Sequence, residues 1–303
     1  MLDYRQLESR YRFSGILTME TALHIGTGGQ VSTVTDSPVL RDAAGRPFIP
    51  GSSLKGAFRA TVARIVASLG MNACDPFGGD DFCLSPQNGP REEDYRAIRS
   101  YLGRTIPASD GGPDAERARQ ALANLNHPGW TGEEITEDHL LILLDEWLCP
   151  VCKVFGSPYW AARARFDDLS VVEPWLDVTE IRDGVGIDRD SERAIDRIKF
   201  DFEVVPAGTA FSFGLTVENP SDQDLGLVAI GLREMIEGMI RLGGIRSRGL
   251  GRCTLTLDPV QKLDASDTVA LTAYLRGETQ GEAIPVEAFF TDAIDGLRIG
   301  QEE

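Results

Sequence analysis

A long acidic segment interrupts the strand and helix patterns of this 303-residue chain, and it constrains the fold more than any other feature. Residues 68–150 carry 15 acidic and 6 basic side chains, and residues 258–303 carry 10 and 3. These two segments account for 16 of the 17 net negative charges at pH 7. Because affinity for a polyanion comes largely from neutralised phosphates, a nucleic-acid partner has to meet the nearly neutral remainder. We therefore expect an acidic insertion at 71–155 and an acidic helical appendage at 258–303.

Hydrophobic periodicity in the remainder predicts an α+β core. An apolar stripe predicts a helix that begins at Pro50 and is closed by Gly70. A second helix and five strands are expected over about 227–242 and near 11–25, 165–172, 200–205, 210–217 and 252–257. With one strand in addition, these elements contain the order strand, helix, strand, strand, helix, strand of a split βαβ, or ferredoxin-like, fold. Its two parts would be 1–70 and 156–257.

The hydrophobic content of 42% is that of an ordinary globular protein. The longest apolar run, near residues 140–144, is too short to span a bilayer, and the polar start does not resemble a signal peptide. We expect a cytoplasmic protein without a membrane partner.

Four cysteines lie in or near the acidic insertion, namely Cys74, Cys83, Cys149 and Cys152. The last two have the spacing of a metal knuckle, and four thiolates could form a structural zinc site. Such a site would stabilise a loop-rich segment that looks too polar for a core of its own. The gap between the first two is unusual, so His127 or His139 could replace either of them. A redox Cys-x-x-Cys pair and simple buried cysteines are the alternatives.

The loop 243–252 combines four glycines with three arginines between a predicted helix and a predicted strand. Glycine allows a close backbone approach, and the forked guanidinium of arginine suits phosphate oxygens. The loop is not a P-loop, because Leu250 and Gly251 stand where Lys and Ser or Thr are required. The alternative is a flexible turn with solvated arginines. We favour an anion site that contains Gly244, Arg246, Arg248, Gly249 and Arg252.

The start of the first predicted helix is a second candidate anion site. Ser52, Ser53 and Lys55 lie in its first turn, where free N–H groups and the helix dipole attract anions, and Arg59 follows one turn later. The spacing of Ser52 and Lys55 also matches a serine acyl-enzyme motif, but the other motifs of that class are missing. A capped helix with a surface lysine is the remaining interpretation.

Taken together, these residues resemble the RAMP superfamily of CRISPR-associated proteins, in particular the backbone subunits of type III effector complexes. The resemblance covers about residues 10–257 and depends on seven short stretches in the order of the family. They are Leu23–Gly26, Asp36–Val39, Ile49–Gly56, Cys149–Gly156, Gly184–Arg189, Val205–Thr209 and the loop 243–252.

The resemblance implies an RRM-like core, a zinc-bearing insertion and a thumb β-hairpin at about 178–199. It implies a subunit that stacks with copies of itself and with other effector subunits along a guide CRISPR RNA, and that cuts complementary target RNA at regular intervals. Asp36 takes the position of the acid required for cleavage, where it would position Mg²⁺ or Mn²⁺ or accept the proton of a ribose 2′-hydroxyl.

The resemblance also implies contacts with RNA near the first strand, at the start of the first helix, in the glycine loop and on the thumb hairpin. His24 matches a position near RNA, and Lys55, Arg59, Arg246, Arg248 and Arg252 match backbone contacts. We also expect Arg182 and Arg189 of the thumb to meet RNA. Two other functions stay open: a silent scaffold in which Asp36 is a turn residue, and a guide-processing nuclease with His24 as its general base.

Overall fold

The structure is a computed structural model that describes residues 6–28, 35–75, 82–88, 91–124, 134–175, 177–187 and 194–297. It divides into two compact units. We call residues 70–162 the insertion unit, and residues 5–69 with 163–303 the core unit. In the described residues, no helix is long and apolar enough to cross a membrane.

A six-stranded antiparallel sheet organises the core unit. The strands are β1 (Ser9–Met19), β3 (Ala164–Phe166), β7 (Ala210–Glu218), β8 (Cys253–Leu257), β9 (Val260–Asp264) and β10 (Glu282–Ile284). The strand order is β10-β9-β1-β7-β3, and β8 pairs with β1 beside β9. Strand β1 is central because it pairs with β7, β8 and β9, and its inward residues Phe13, Leu17 and Met19 are fully buried. A separate pair joins β2 (Phe48–Ile49) to β4 (Leu169–Ser170).

Two long helices, α1 (Gly51–Ser68) and α6 (Asp222–Ile236), pack together in the core unit. Gly231 makes this close packing possible, because a Cβ there would lie 2.1 Å from the ring of Phe58. Helix α6 begins at a capping box formed by Ser221 and Asp224, so it starts five residues before the predicted helix.

The predicted strand at 200–205 belongs to a hairpin instead of the sheet. Strands β5 (Glu180–Ile187) and β6 (Ala194–Val204) pair antiparallel, with Asp183 opposite Asp201. The turn that follows β6 exists as expected, with Gly208 at φ +84°. Alternating hydrophobicity marks a strand but not its partner, so it could not show that β6 pairs with β5 while β7 pairs with β1.

Two other predicted strands are shorter than expected. The strand over 11–25 ends at Met19, after which Leu23 and Gly26 form isolated bridges to Val205 and Val39. The strand near 165–172 is split between β3 and β4, which belong to different sheets.

Residues 258–303 are more than a helical appendage. Besides α7 (Thr268–Leu275) and α8 (Val286–Asp295), this segment supplies β9 and β10 of the sheet. Helix α8 packs on α6, where its buried Phe290 contacts Arg233, while its buried Phe289 contacts Phe13 of β1.

The expectation that the insertion is too polar for its own core was wrong. It contains α2 (Arg91–Ser100), α3 (Pro113–Asn124), α4 (Glu137–Trp147) and α5 (Pro150–Phe155). Buried Ile98, Leu122, Ile135 and Leu143 pack in one hydrophobic cluster. Its apolar side chains are few but recur at helical spacing, so they collect on the inner faces of α2, α3 and α4 despite the acidic composition.

Candidate functional site

Asp36 lies on an exposed loop that is hydrogen-bonded to the base of the β5–β6 hairpin. Its backbone N–H donates to Oδ1 of Asp201 (2.8 Å), and the N–H of Asp201 donates to Oδ2 of Asp36 (3.3 Å). The hydroxyl of Thr35 donates to the same Asp201 oxygen at 2.6 Å. The hairpin therefore fixes the loop directly at the candidate catalytic residue.

Glu203 is a second anchor on the same face of β6, two residues beyond Asp201. Its carboxylate accepts hydrogen bonds from the Val39 N–H, the Thr179 hydroxyl and the Arg41 guanidinium at 2.9, 2.6 and 2.7 Å. Burial by itself would raise the pKa of Glu203, but these hydrogen bonds together lower the pKa below its ordinary value. The ionised carboxylate is thus part of the folded structure.

His24 is buried between the Asp36 loop and the glycine loop 243–252. Its Nδ1 lies 2.7 Å from the carbonyl oxygen of Glu203, which can only accept, so the ring carries its proton there. The other nitrogen, Nε2, lies 3.3 Å from the Ser37 hydroxyl. Since the side chain is only 7% exposed and both nitrogens have partners, this geometry favours a positioning role over direct contact with RNA.

The glycine loop approaches His24 through its backbone. The N–H of Gly244 donates to the His24 carbonyl at 2.8 Å. A Cβ on Gly243, which has φ +78°, would lie 2.2 Å from that oxygen. Hydrogen bonds therefore join both Ser37, the neighbour of Asp36, and Gly244 to His24.

The three arginines of this loop differ in their surroundings. Arg246 and Arg248 are exposed and make no ion pair within the described residues. The guanidinium of Arg248 lies 5.8 Å from the ring centroid of Phe200 on β6. Arg252 instead pairs with Glu20 at 2.6 Å. Two cations on this surface are therefore available to an anion, and a third already has a carboxylate partner.

Helix α1 places the other candidate cations. Pro50 occupies the N-cap, while Ser52 and Ser53 are exposed in the first turn. The first helical N–H, that of Gly51, donates to the carboxylate of Asp168 at 2.7 Å, so an anion from the chain itself already uses part of this helix start. Burial, and then the nearby charge of Arg59, lower the pKa of Lys55.

Of the two thumb arginines, the structure describes only Arg182. It is exposed on β5 and pairs with Glu180 at 3.2 Å. Arg189 lies outside the described residues.

The insertion unit brings its four cysteines together. The Sγ atoms of Cys74, Cys83, Cys149 and Cys152 all lie within 4.8 Å of one another. The distances from Cys74 are 3.3 Å to Cys83, 3.3 Å to Cys152 and 3.8 Å to Cys149. Tetrahedral coordination with Zn–S bonds of about 2.3 Å places sulfurs roughly 3.8 Å apart, so the cluster can hold a metal ion such as zinc.

Local structure explains the position of these thiols. Cys149 is the N-cap of α5, and Cys152 follows in its first turn. Hydrogen bonds among the thiols lower the pKa of Cys149 below its ordinary value and raise the pKa of Cys152 and Cys74. Cys253 lies apart in the core unit, where burial raises its pKa to about 12.

Of the two histidines considered as metal ligands, the structure describes only His139. His139 is the third residue of α4, and its Nδ1 accepts the Thr136 N–H at 3.0 Å as part of a capping box. It therefore stabilises a helix start, and the metal-binding group consists of cysteines alone in the described residues. His127 lies outside them.

Comparison with known proteins supports the resemblance. A sequence model of the RAMP superfamily matches residues 16–254. The chain belongs to the RAMP superfamily. The CRISPR system Cms endoribonuclease Csm3 of Methanocaldococcus jannaschii is 29% identical over 257 residues, which cover 81% of this chain and 78% of that protein. The Csm3 of Enterococcus italicus is 48% identical over 64 residues, or 20% of this chain and 30% of that protein. The Csm3 of Streptococcus thermophilus is 40% identical over 60 residues, which cover 19% of this chain and 27% of that protein.

Neither Asp201 nor Glu203 of this RAMP protein was predicted from the sequence. Both follow the period of two on β6, where Phe202 and Val204 between and after them are buried. That alternation could have assigned the two acids to one face. Their partners on the Asp36 loop lie more than 160 residues earlier in the chain, and no local pattern indicates such a pairing.

Proposed function

We propose that this RAMP protein is a guide-RNA-binding backbone subunit of a type III CRISPR effector complex and cleaves complementary target RNA at regular intervals. Two findings support the proposal: membership of the RAMP superfamily and similarity to Csm3 proteins that are named endoribonucleases. We expect it to act in the cytoplasm, with guide CRISPR RNA, target RNA, further copies of itself and other effector subunits as partners.

The strand order supports an RRM-like core. Strands β8, β1, β7 and β3 lie side by side, and α1 and α6 connect β1 to β3 and β7 to β8. This arrangement corresponds to a split βαβ topology with the insertion unit between α1 and β3. The β5–β6 hairpin then corresponds to the thumb.

The observation that carries the catalytic proposal is the placement of Asp36. Its carboxylate is exposed, and the residue is fixed at the base of the hairpin. A displaced nucleotide beside the hairpin would bring a ribose and its phosphate to this carboxylate. Asp36 could then accept the 2′-hydroxyl proton as that oxygen attacks the adjacent phosphate. The new O2′–P bond would give a 2′,3′-cyclic phosphate while the P–O5′ bond breaks, and the departing 5′-oxygen would take a proton from water.

Mg²⁺ or Mn²⁺ is compatible with this surface. Such ions are commonly bound through one or two carboxylates together with substrate phosphates, and Asp36 presents an exposed carboxylate. When bound, the ion would neutralise charge on the reacting phosphate. The chain itself would supply the position of Asp36 and the cations that hold the RNA backbone.

RNA contacts are proposed on three surfaces around the core. The glycine loop would bind backbone phosphates through Gly244, Arg246, Arg248, Gly249 and, after release from Glu20, Arg252. The start of α1 would contribute Ser52, Ser53, Lys55 and Arg59, and the hairpin Arg182 and Arg189. His24 would support this surface from beneath. For the four cysteines we propose structural zinc.

The experiment is cleavage of a labelled, guide-complementary RNA by the reconstituted complex in Mg²⁺ or Mn²⁺, with wild type and Asp36→Ala. We expect regularly spaced products with wild type and a loss of at least about 100-fold in rate with the variant, while guide RNA and subunits assemble normally. Equal cleavage by both proteins would instead make this subunit a scaffold. Cleavage of a precursor guide by the isolated chain would favour the guide-processing alternative.

A further inference from the structure

Asp201 stands in a reciprocal arrangement with the proposed catalytic residue. Its Oδ1 accepts the Asp36 N–H and the Thr35 hydroxyl, while its own N–H donates to Oδ2 of Asp36. These three hydrogen bonds fix both the backbone and the side chain of Asp36. Within the described part of the chain, they leave the second carboxylate oxygen of Asp36 without a hydrogen-bond donor, so that it can face a ligand.

The strand that carries Asp201 is itself held firmly. Two residues later, Glu203 binds Arg41 and the Val39 N–H, and its own N–H donates to the Ser37 carbonyl at 3.0 Å. On the opposite face of β6, Phe202 is 6% exposed. A carboxylate on so braced a strand can define the position of a loop to a fraction of an ångström.

We infer that Asp201 is a positioning residue for RNA cleavage, which holds the carboxylate of Asp36 against the reacting ribose through the acceptor oxygen Oδ1. The inference rests on the proposed function of Asp36. It assigns the role to hydrogen-bond acceptance, and the negative charge of Asp201 is not required. An asparagine also has an acceptor Oδ1 and can therefore replace it, whereas an alanine cannot.

The test compares Asp201→Ala with Asp201→Asn in the reconstituted complex, at saturating target RNA and over a range of target concentrations. We expect Asp201→Ala to lower the maximal cleavage rate by about tenfold to 100-fold, because a misplacement of about 1 Å can cost that much. Asp201→Asn should remain within about threefold of wild type. The target Kd and the melting temperature of the complex should change little in both variants. Asp292→Ala, an exposed carboxylate on α8, is the matched control.

A second pair of variants keeps the test valid if Asp201→Ala does not assemble. Thr35→Val removes the hydroxyl that donates to Asp201 at nearly constant volume, and Thr35→Ser retains it. We expect slower cleavage only with valine. In the Asp201→Ala background, Thr35→Val should have only the smaller effect of losing the acceptor of the Ser37 N–H, since the hydrogen bond shared with Asp201 is already absent.

Three results would overturn the inference. One is wild-type cleavage by both Asp201→Ala and Thr35→Val. Another is an Asp201→Asn variant as slow as Asp201→Ala, which would mean that the charge itself takes part in the reaction. The third is a loss of target affinity or melting temperature that accounts for the slower cleavage. Asp36→Ala separates the two proposals: if it cleaves normally, the proposed function fails, and if only the Asp201 variants cleave normally, this inference alone fails.

Discussion

Because of the buried ion pair between Arg163 and Asp224, the stability of the core unit should depend strongly on the charge of Asp224. The two side chains are 3% and 5% exposed, and Nε of Arg163 has no hydrogen-bond partner among the residues that the structure describes. Asp224 also accepts the Ser221 N–H at 2.8 Å as part of the capping box of α6. Asp224→Asn keeps the size of the side chain and an acceptor for Ser221, but it removes the charge that compensates Arg163.

Removal of one partner from a buried pair costs about 3–5 kcal/mol, because the remaining charge stays desolvated. For a unit of this size, about 2–4 °C of melting temperature corresponds to each kcal/mol, so we expect a fall of roughly 6–20 °C. Thermal unfolding of the purified chain, followed by calorimetry, measures this directly.

Two further variants define what would refute the reasoning. Arg163→Met combined with Asp224→Asn removes both charges and should recover most of the loss. Glu287→Gln breaks the exposed pair with Arg233 on the same helix α6 and should cost less than about 1 kcal/mol. Two results would refute the reasoning: a free energy of unfolding of Asp224→Asn within about 1 kcal/mol of wild type, or a double variant that recovers no stability. Either result would show that the unpaired charge of Arg163 is not what destabilises the variant.

The remaining predictions concern the metal site, the glycine loop and pH. Cys152→Ser should lower the bound zinc, measured by metal analysis, well below one ion per chain and make the insertion unit more susceptible to proteolysis. The control variant Cys253→Ala should keep its zinc. One zinc ion per chain in Cys152→Ser would contradict the four-cysteine site. Gly243→Ala should weaken guide-RNA binding by about tenfold in a filter assay, because its Cβ would collide with the His24 carbonyl at a φ of +78°. An unchanged affinity would show that guide-RNA binding does not depend on the geometry of this loop. The pKa of Glu203 is lowered in the folded state, so its stabilisation is present above the ordinary pKa of 4.5 and is lost as the pH falls through the folded value. Melting curves of wild type and Glu203→Gln should therefore differ most near pH 7 and converge in acid, and a constant difference would exclude this linkage.

Much of the fold was predictable because its elements are marked locally. Apolar residues at helical spacing identified α1 and the C-terminal part of α6, and alternation identified the position of β7. The proximity of Cys149 and Cys152 was also visible, since two positions separate them in the chain. The cores of the insertion unit and the strands β9 and β10 were missed because strong acidity hid a few well-spaced apolar residues.

The sequence by itself determined the family, the candidate acid Asp36 and the four thiols, because short motifs in a fixed order carry that information. The tertiary structure alone decided that β6 pairs with β5, that Arg163 is buried against Asp224, and that Asp201 lies against Asp36. Asp36 and Asp201 are 165 positions apart. Contacts of this kind depend on which strands share an edge after the chain has folded, and strand pairing is a property of the whole sheet that no local pattern specifies.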